Sequence, residues 1–506
     1  MDISELFPNL YLGFSVALTL SNLMYCFIGV FLGTMIGVLP GIGPLATIAM
    51  LLPITFNLPA IPALIMLSGI YYGCQYGGST TAILVKLPGE SASVVTCIDG
   101  HEMAKAGRAG PALAIAAIGS FFAGTVGTIL IAQFGPPIAE MALQFGAAEY
   151  FSLMVMGLIA ASVLAYGSMS KSLAMVLLGL IIGIIGTDVN SGMARFSFGI
   201  AGLTDGISFS VIAMGLFGVA EIVKNLEGVG GKRDLLFQKL KHLYPTKEDL
   251  KLSWKPIVRG TAIGAFFGTL PGAGPTIAAF STYALEKKLS KRQELFGKGA
   301  IEGVAGPEAA NNAAAQCAFI PTLTLGIPGS GTMALMLGAL TIQGIAPGPQ
   351  VMTQRPDLFW GLVASMWIGN AMLVILNLPL VGLWVKLLTV PYRILFPAIM
   401  MFMTIGVYSL NNASLDLYLM IIFGCLGYLF IKLQCEPAPL ILAVVLGPLM
   451  EENLRRALLI SRGDPTVFVT RPISLGFLIV TVIFLAIMLL PAAMAKRKEA
   501  LAGEAS

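Results

Sequence analysis

The sequence predicts an all-α polytopic membrane protein of about 10–12 membrane helices or re-entrant hairpins, arranged as two inverted repeats with broken helices. Three observations carry that expectation. Of the 506 residues, 57% are hydrophobic and 11% charged, where a soluble domain would carry about 25% charged residues. One motif occurs twice with every glycine and proline in register, GTMIGVLPGIGP at residues 33–44 and GAFFGTLPGAGP at residues 264–275. Lysine and arginine gather in a few loops, which fixes sidedness by the positive-inside rule.

Each motif copy ends an apolar run. Leu-Pro-Gly stops a helix because proline lacks an N–H and clashes with the preceding turn, and Gly-x-Gly-Pro starts another, proline being favoured in a first turn. In lipid such a break leaves backbone groups unsatisfied unless they face protein, water or a ligand. Paired breaks at corresponding places in two halves mark the binding site of a secondary transporter.

The first repeat spans residues 1–223. Its acidic start, MDISELF, has no basic n-region, so no cleaved signal peptide is expected. An apolar helix at 18–39 leads to the break, and a piece at 44–56 is too short for a full span. The run 60–87 places Tyr72, Gln75, Tyr76, Ser79 and Thr80 on one helix face. A polar loop at 88–110 carries Asp99, His101, Glu102, Lys105 and Arg108, and helices follow near 111–134, 150–166, 172–186 and 199–223.

Residues 224–259 hold nine Lys or Arg against four Asp or Glu and read as a basic cytoplasmic linker. Counting back puts Lys105 and Arg108 on the same side, the loop with Glu140 and Glu149 outside, and the N-terminus outside. The second repeat, 260–495, therefore begins on the opposite face. Its run 256–270 reaches the second break, and 275–284 returns to a basic loop with Lys287, Lys288, Lys291, Arg292 and Lys298. The run 300–325 partners 60–87 and ends in GIPGS (326–330), where the first half ends in KLPGES (86–91). After a Gly/Pro-rich outer loop at 344–357, helices are expected near 358–387, 396–410, 415–433, 438–450 and 473–490. Residues 496–506, opening with Lys496, Arg497 and Lys498, form a cytoplasmic tail.

Glu308, Asn311, Asn312 and Gln316 share one face of a small-residue helix. An intramembrane carboxylate is a functional candidate by default. Glu308 is expected to couple transport to an ion, either as a proton acceptor or beside a sodium ion near Asn311 and Asn312. The membrane region offers almost no Lys or Arg for an anion, so substrate carboxylates should meet backbone N–H groups around Gly41, Gly43, Gly272 and Gly274, helped by Ser79, Thr80, Asn311, Asn312 and Ser330. Lys86 reads as a residue that reaches the headgroups, and His101 with Glu102 as a surface-loop pair. The six cysteines show no ligand spacing, so no disulfide, metal or cofactor is expected. GxxxG pairs such as Gly33 with Gly37 and Gly264 with Gly268 read as internal helix packing. The modest net charge of +4 sits in loops and gives no reason to expect nucleic acid. No phosphate-binding loop, nucleophile–base pair or catalytic metal set is found, which argues against a pump or an enzyme. A channel or pore for small anions is the alternative class.

Four stretches resemble the large membrane subunit of the tripartite tricarboxylate transporter family of bacteria: GVLPGIGP (37–44), DGHEMAKAGRAGPAL (99–113), GTLPGAGP (268–275) and GVAGPEAANNAAAQCAFIPTLTLGIPGS (303–330). The family typically has tyrosine where His101 stands and alanine or serine where Gly306 stands. The resemblance implies an H+ or Na+ symporter in the bacterial inner membrane that imports citrate-like carboxylates. It also implies a small membrane subunit and a periplasmic substrate-binding protein as partners, with membrane lipid around the chain.

Overall fold

The computed structural model describes residues 3–39, 42–164, 168–188, 191–227, 244–270, 274–387 and 392–489. The chain is mostly helical. In order, the elements are α1 (Ile3–Ala17), α2 (Leu20–Gly37), α3 (Pro44–Leu51), α4 (Ala60–Val85), α5 (Val94–Lys105), α6 (Ala109–Ala142), α7 (Ala147–Leu164) and α8 (Met169–Gly183). A two-stranded antiparallel ladder pairs Gly186–Thr187 with Ala194–Arg195. Next, α9 (Phe209–Ala213) and α10 (Ala220–Glu227) flank a π turn at Met214–Val219. The second half holds α11 (Lys247–Gly268), α12 (Gly274–Leu289), α13 (Glu302–Cys317), α14 (Phe319–Thr324), α15 (Gly331–Ile342), α16 (Gln350–Gln354), α17 (Pro356–Asn377) and α18 (Val381–Leu387). It closes with α19 (Tyr392–Asn411), α20 (Ser414–Lys432), α21 (Ala438–Ile460), α22 (Val467–Thr470) and α23 (Pro472–Leu489).

Among the described residues, five helices are long and apolar enough to cross a membrane: Leu20–Gly37, Ala109–Ala142, Phe209–Glu227, Pro356–Asn377 and Ser414–Lys432. Shorter apolar helices accompany them. Helix α6, with 34 residues, is about 50 Å long at ~1.5 Å per residue, beyond the ~30 Å hydrocarbon core.

Two glycine seams hold the centre. In the first half, Gly29, Gly33 and Gly37 of α2 lie against the backbone of Met66, Ile70 and Cys74 of α4. In the second, Gly260, Gly264 and Gly268 of α11 lie against Gly306, Ala310 and Ala314 of α13. The four-residue step on both helices keeps one face in register with the other. This is the internal packing expected from Gly33, Gly37, Gly264 and Gly268. A Cβ on Gly37 would stand 2.6 Å from Cα of Cys74, and one on Gly264 2.8 Å from Cα of Ala310. Neither backbone can retreat. We expect Gly264→Leu to lower the melting temperature of the purified protein far more than Gly476→Leu, whose Cβ has no heavy atom within 4 Å. Ordinary overpacking costs about 1–3 kcal/mol, and equal melting temperatures would contradict the seam.

The structure corrects several local expectations. The acidic N-terminal segment is helical from Ile3 and packs on α17, with Phe14 stacked on Trp367 at 5.9 Å between ring centroids. The polar loop at 88–110 contains α5, whose buried Asp99 explains the helix's place. Its Oδ1 accepts the N–H groups of Gly297, Gly299 and Ala300 at 2.8, 2.8 and 2.9 Å, and its Oδ2 the Tyr283 hydroxyl at 2.9 Å. Polarity here serves a buried anchor across the two halves. Helix α11 starts at Lys247, inside the stretch read as linker, because Thr246 and Asp249 form a capping box; residues 228–243 lie outside the described residues. Glu140 lies within α6, and Glu149 is buried beside Arg471, whose Nε donates to it at 2.5 Å.

Candidate functional site

The two helix breaks bring new helix starts together. Gly43 caps α3 with an extended backbone (φ −73°, ψ 175°), and α12 begins at Gly274 with a left-handed φ of +58°. Helix α15 starts at Ser330, whose hydroxyl accepts the N–H of Met333 at 3.3 Å, and α21 starts after Pro437. Residues from all four starts line one cavity of about 190 Å³. The first turn of a helix carries unpaired N–H groups and the positive end of the dipole, so these starts favour an anion, while Glu436 adds a carboxyl group to the same lining. No lysine or arginine is among the described lining residues.

The opposite wall comes from α4 and the turn after it. Tyr71 and Gln75 project from α4, and Glu90 and Ser91 from the KLPGES turn. Ser91 and Thr276 share a 2.9 Å hydrogen bond between their hydroxyls, tying the first-half turn to the start of α12. The Asn311 side-chain amide donates to Glu90 Oε1 at 2.9 Å. Phe319 packs on Tyr71 and Tyr72, with centroids 6.3 and 6.2 Å away.

Behind this wall lies a separate polar cluster around Glu308, which is 1% exposed. Ser79 donates to Glu308 Oε2 at 2.5 Å and Thr96 donates to Oε1. The Asn312 amide donates to Ser120 Oγ at 2.7 Å and to the Glu308 carbonyl at 3.1 Å. Ser79, Thr80 and Ser120 line a small neighbouring void of about 10 Å³. Tyr76 instead donates to Asn370 Oδ1 at 2.8 Å, joining α4 to α17.

Of the candidates named from sequence, Gly43, Gly274 and Ser330 meet at the cavity of the four helix starts, and Asn311 reaches its rim through Glu90. Ser79, Thr80 and Asn312 gather instead with Glu308. Gly41 and Gly272 lie outside the described residues. Lys86 caps α4 with a φ of 58° and is exposed, away from the cavity lining. His101 departs from its surface-loop reading: it is buried, with Nδ1 3.1 Å from the Ile83 carbonyl. Glu102 pairs with Lys105 at 2.9 Å, and that hydrogen bond holds its carboxyl below the ordinary glutamate value. Among the described residues no group of three His, Cys, Asp or Glu side chains could hold a metal ion.

Sequence reasoning passed over Glu90, Tyr71 and the start of α21. A signal for Glu90 was present, because aligning KLPGES with GIPGS sets Glu90 opposite Ser330.

A protein of Agrobacterium vitis described as "Uncharacterized 52.8 kDa protein in TAR-I ttuC' 3'region" is 58% identical over 493 residues, covering 97% of this chain and 98% of that one. A second from the same organism, "Uncharacterized protein in TAR-II ttuC' 3'region", is 60% identical over 236 residues, 47% of this chain and 98% of its own length. No solved structure matches the chain. The model of the "Tripartite tricarboxylate transporter TctA family" matches residues 23–442, and the chain belongs to that family, the large membrane subunit of tripartite tricarboxylate transporters.

Proposed function

We propose that this chain is the translocating subunit of an ion-gradient-driven symporter that imports citrate or related organic acids across the bacterial inner membrane. It works with a small membrane subunit and a periplasmic substrate-binding protein. The observation that carries the reading is the cavity where four helix starts converge without a lysine or arginine. Its ~190 Å³ is smaller than the roughly 300–1,000 Å³ of drug-sized sites, in keeping with a small multiply charged anion. Gly41, Gly43, Gly272, Gly274 and Ser330 supply the donors. Ser79, Thr80, Asn311 and Asn312 help to bind the substrate, and Glu308 couples the movement to a proton or sodium ion.

Membrane vesicles carrying all three subunits should accumulate labelled citrate only under a sodium or proton gradient and only with the binding protein present. Rapid equilibration without accumulation would favour an anion pore.

The matched glycine seams and matched breaks support two repeats of one unit, and the basic loops support their inversion. The division is 1–223, 224–259, 260–495 and 496–506, with some 10–12 spans or hairpins. Single cysteines near Asp2 and near Lys247 should then react with an impermeant reagent from opposite faces of the membrane. Labelling of both from one face would overturn the inversion.

A further inference from the structure

We infer that the cavity binds a sodium ion between Glu90 and the side-chain oxygens of Asn311, Gln75 and Tyr71, in contact with the carboxylate substrate; this rests on the cavity being the anion site. Two observations carry it. First, Glu90 and Glu436 both line a space whose other walls include four helix starts. With a substrate carboxylate bound, an ionised Glu90 would put two like charges in a poorly screened site, where their repulsion is severalfold larger than in water. A cation between them turns that repulsion into attraction.

Second, buried polar atoms around Glu90 are left without a well-formed hydrogen bond. Gln75 Oε1, the Tyr71 hydroxyl and Asn311 Oδ1 have no hydrogen-bond partner among the described residues, and each of these side chains is 1% exposed. Gln75 and Tyr71 line the cavity, Tyr71 sits beside Ser330 and Gln75 and near Glu90, and the Asn311 amide nitrogen is already on Glu90. Leaving buried acceptors unpaired is costly. A single proton on Glu90 would provide one donor for one of them, whereas a hard cation gathers several oxygens at once. Glu436 lines the same cavity, but the set around Glu90 holds one carboxylate with neutral amide and phenol oxygens, which suits a monovalent ion, since a calcium site would draw on more carboxylates.

Linkage then makes the ion and the anion raise each other's affinity by the same factor, roughly 5–150-fold for couplings of ordinary size. The test uses the purified chain with its small membrane subunit, melted in sodium chloride and in choline chloride at equal ionic strength, followed by citrate titration in each salt. The parent should show a saturable rise in melting temperature with sodium and tighter citrate binding in sodium. Glu90→Gln and Gln75→Leu should lose the sodium-dependent rise, while Glu294→Gln, at an exposed position, keeps it. A full sodium response in Glu90→Gln, or none in the parent, overturns the proposal. If Glu90→Gln does not fold, Gln75→Leu and Tyr71→Phe decide by the same criterion. Sodium stabilisation without any citrate binding would keep the ion site and refute the anion reading. Citrate binding indifferent to sodium would refute the ion site alone.

Discussion

Gly43→Leu is expected to reduce citrate uptake below detection while the protein remains folded in the membrane. The backbone of Gly43 is extended, a conformation open to any residue, and an added Cβ would stand 3.5 Å from Cβ of Glu90, an ordinary contact. The substitution is therefore tolerable to the fold. A leucine side chain from that point lies along the cavity wall and covers the first free N–H groups of α3, so it removes donors and volume together. Gly274 is a less clean target, since its φ of +58° would cost any side chain about 1–2 kcal/mol. The checks are uptake by vesicles and an unchanged gel-filtration profile. Near-parent transport by Gly43→Leu would show that the anion is held elsewhere.

Glu308→Gln is expected to retain citrate exchange and lose accumulation. The amide keeps the shape and leaves one oxygen for the Ser79 and Thr96 hydroxyls, so the packing of α4, α5 and α13 survives. What disappears is the carboxylate to which the proposed coupling is assigned. A coupling of ordinary size is worth roughly 5–150-fold between the two states, and the ratio of internal to external citrate should fall by a factor of that order towards equality. Counterflow and gradient-driven uptake, measured separately on the same vesicles, read the two effects. A variant that concentrates citrate like the parent would make Glu308 a structural anchor.

The parts of this molecule that were legible in its sequence are those governed by backbone sterics. Leu-Pro-Gly and Gly-x-Gly-Pro announce helix ends and starts whatever surrounds them, and α2, α3, α11 and α12 end or begin beside those signals. The polar face from Glu308 to Gln316 was legible because a carboxylate in an apolar, small-residue helix has few other reasons to exist. The family resemblance rested on the same stretches and is shown by the match over residues 23–442. Asp99 and α5 were less legible, because hydropathy cannot separate a polar residue facing solvent from one clamped by three backbone N–H groups. Glu90 was hidden for a related reason. Its importance depends on which helix starts are folded around it, and that is a property of long-range contacts between halves.

The two seams also bear on how the chain is made. Gly29 meets Met66 and Gly260 meets Gly306, so each seam joins helices that leave the ribosome close together. Contacts so near in sequence form early, before distant ones have been synthesised. The cavity obeys a different schedule: Glu90 must wait for Asn311, and Ser91 for Thr276. Each half can therefore settle its own pair of helices during translation, while the cavity wall exists only after the last of its four helix starts, at Ala438, has entered the membrane.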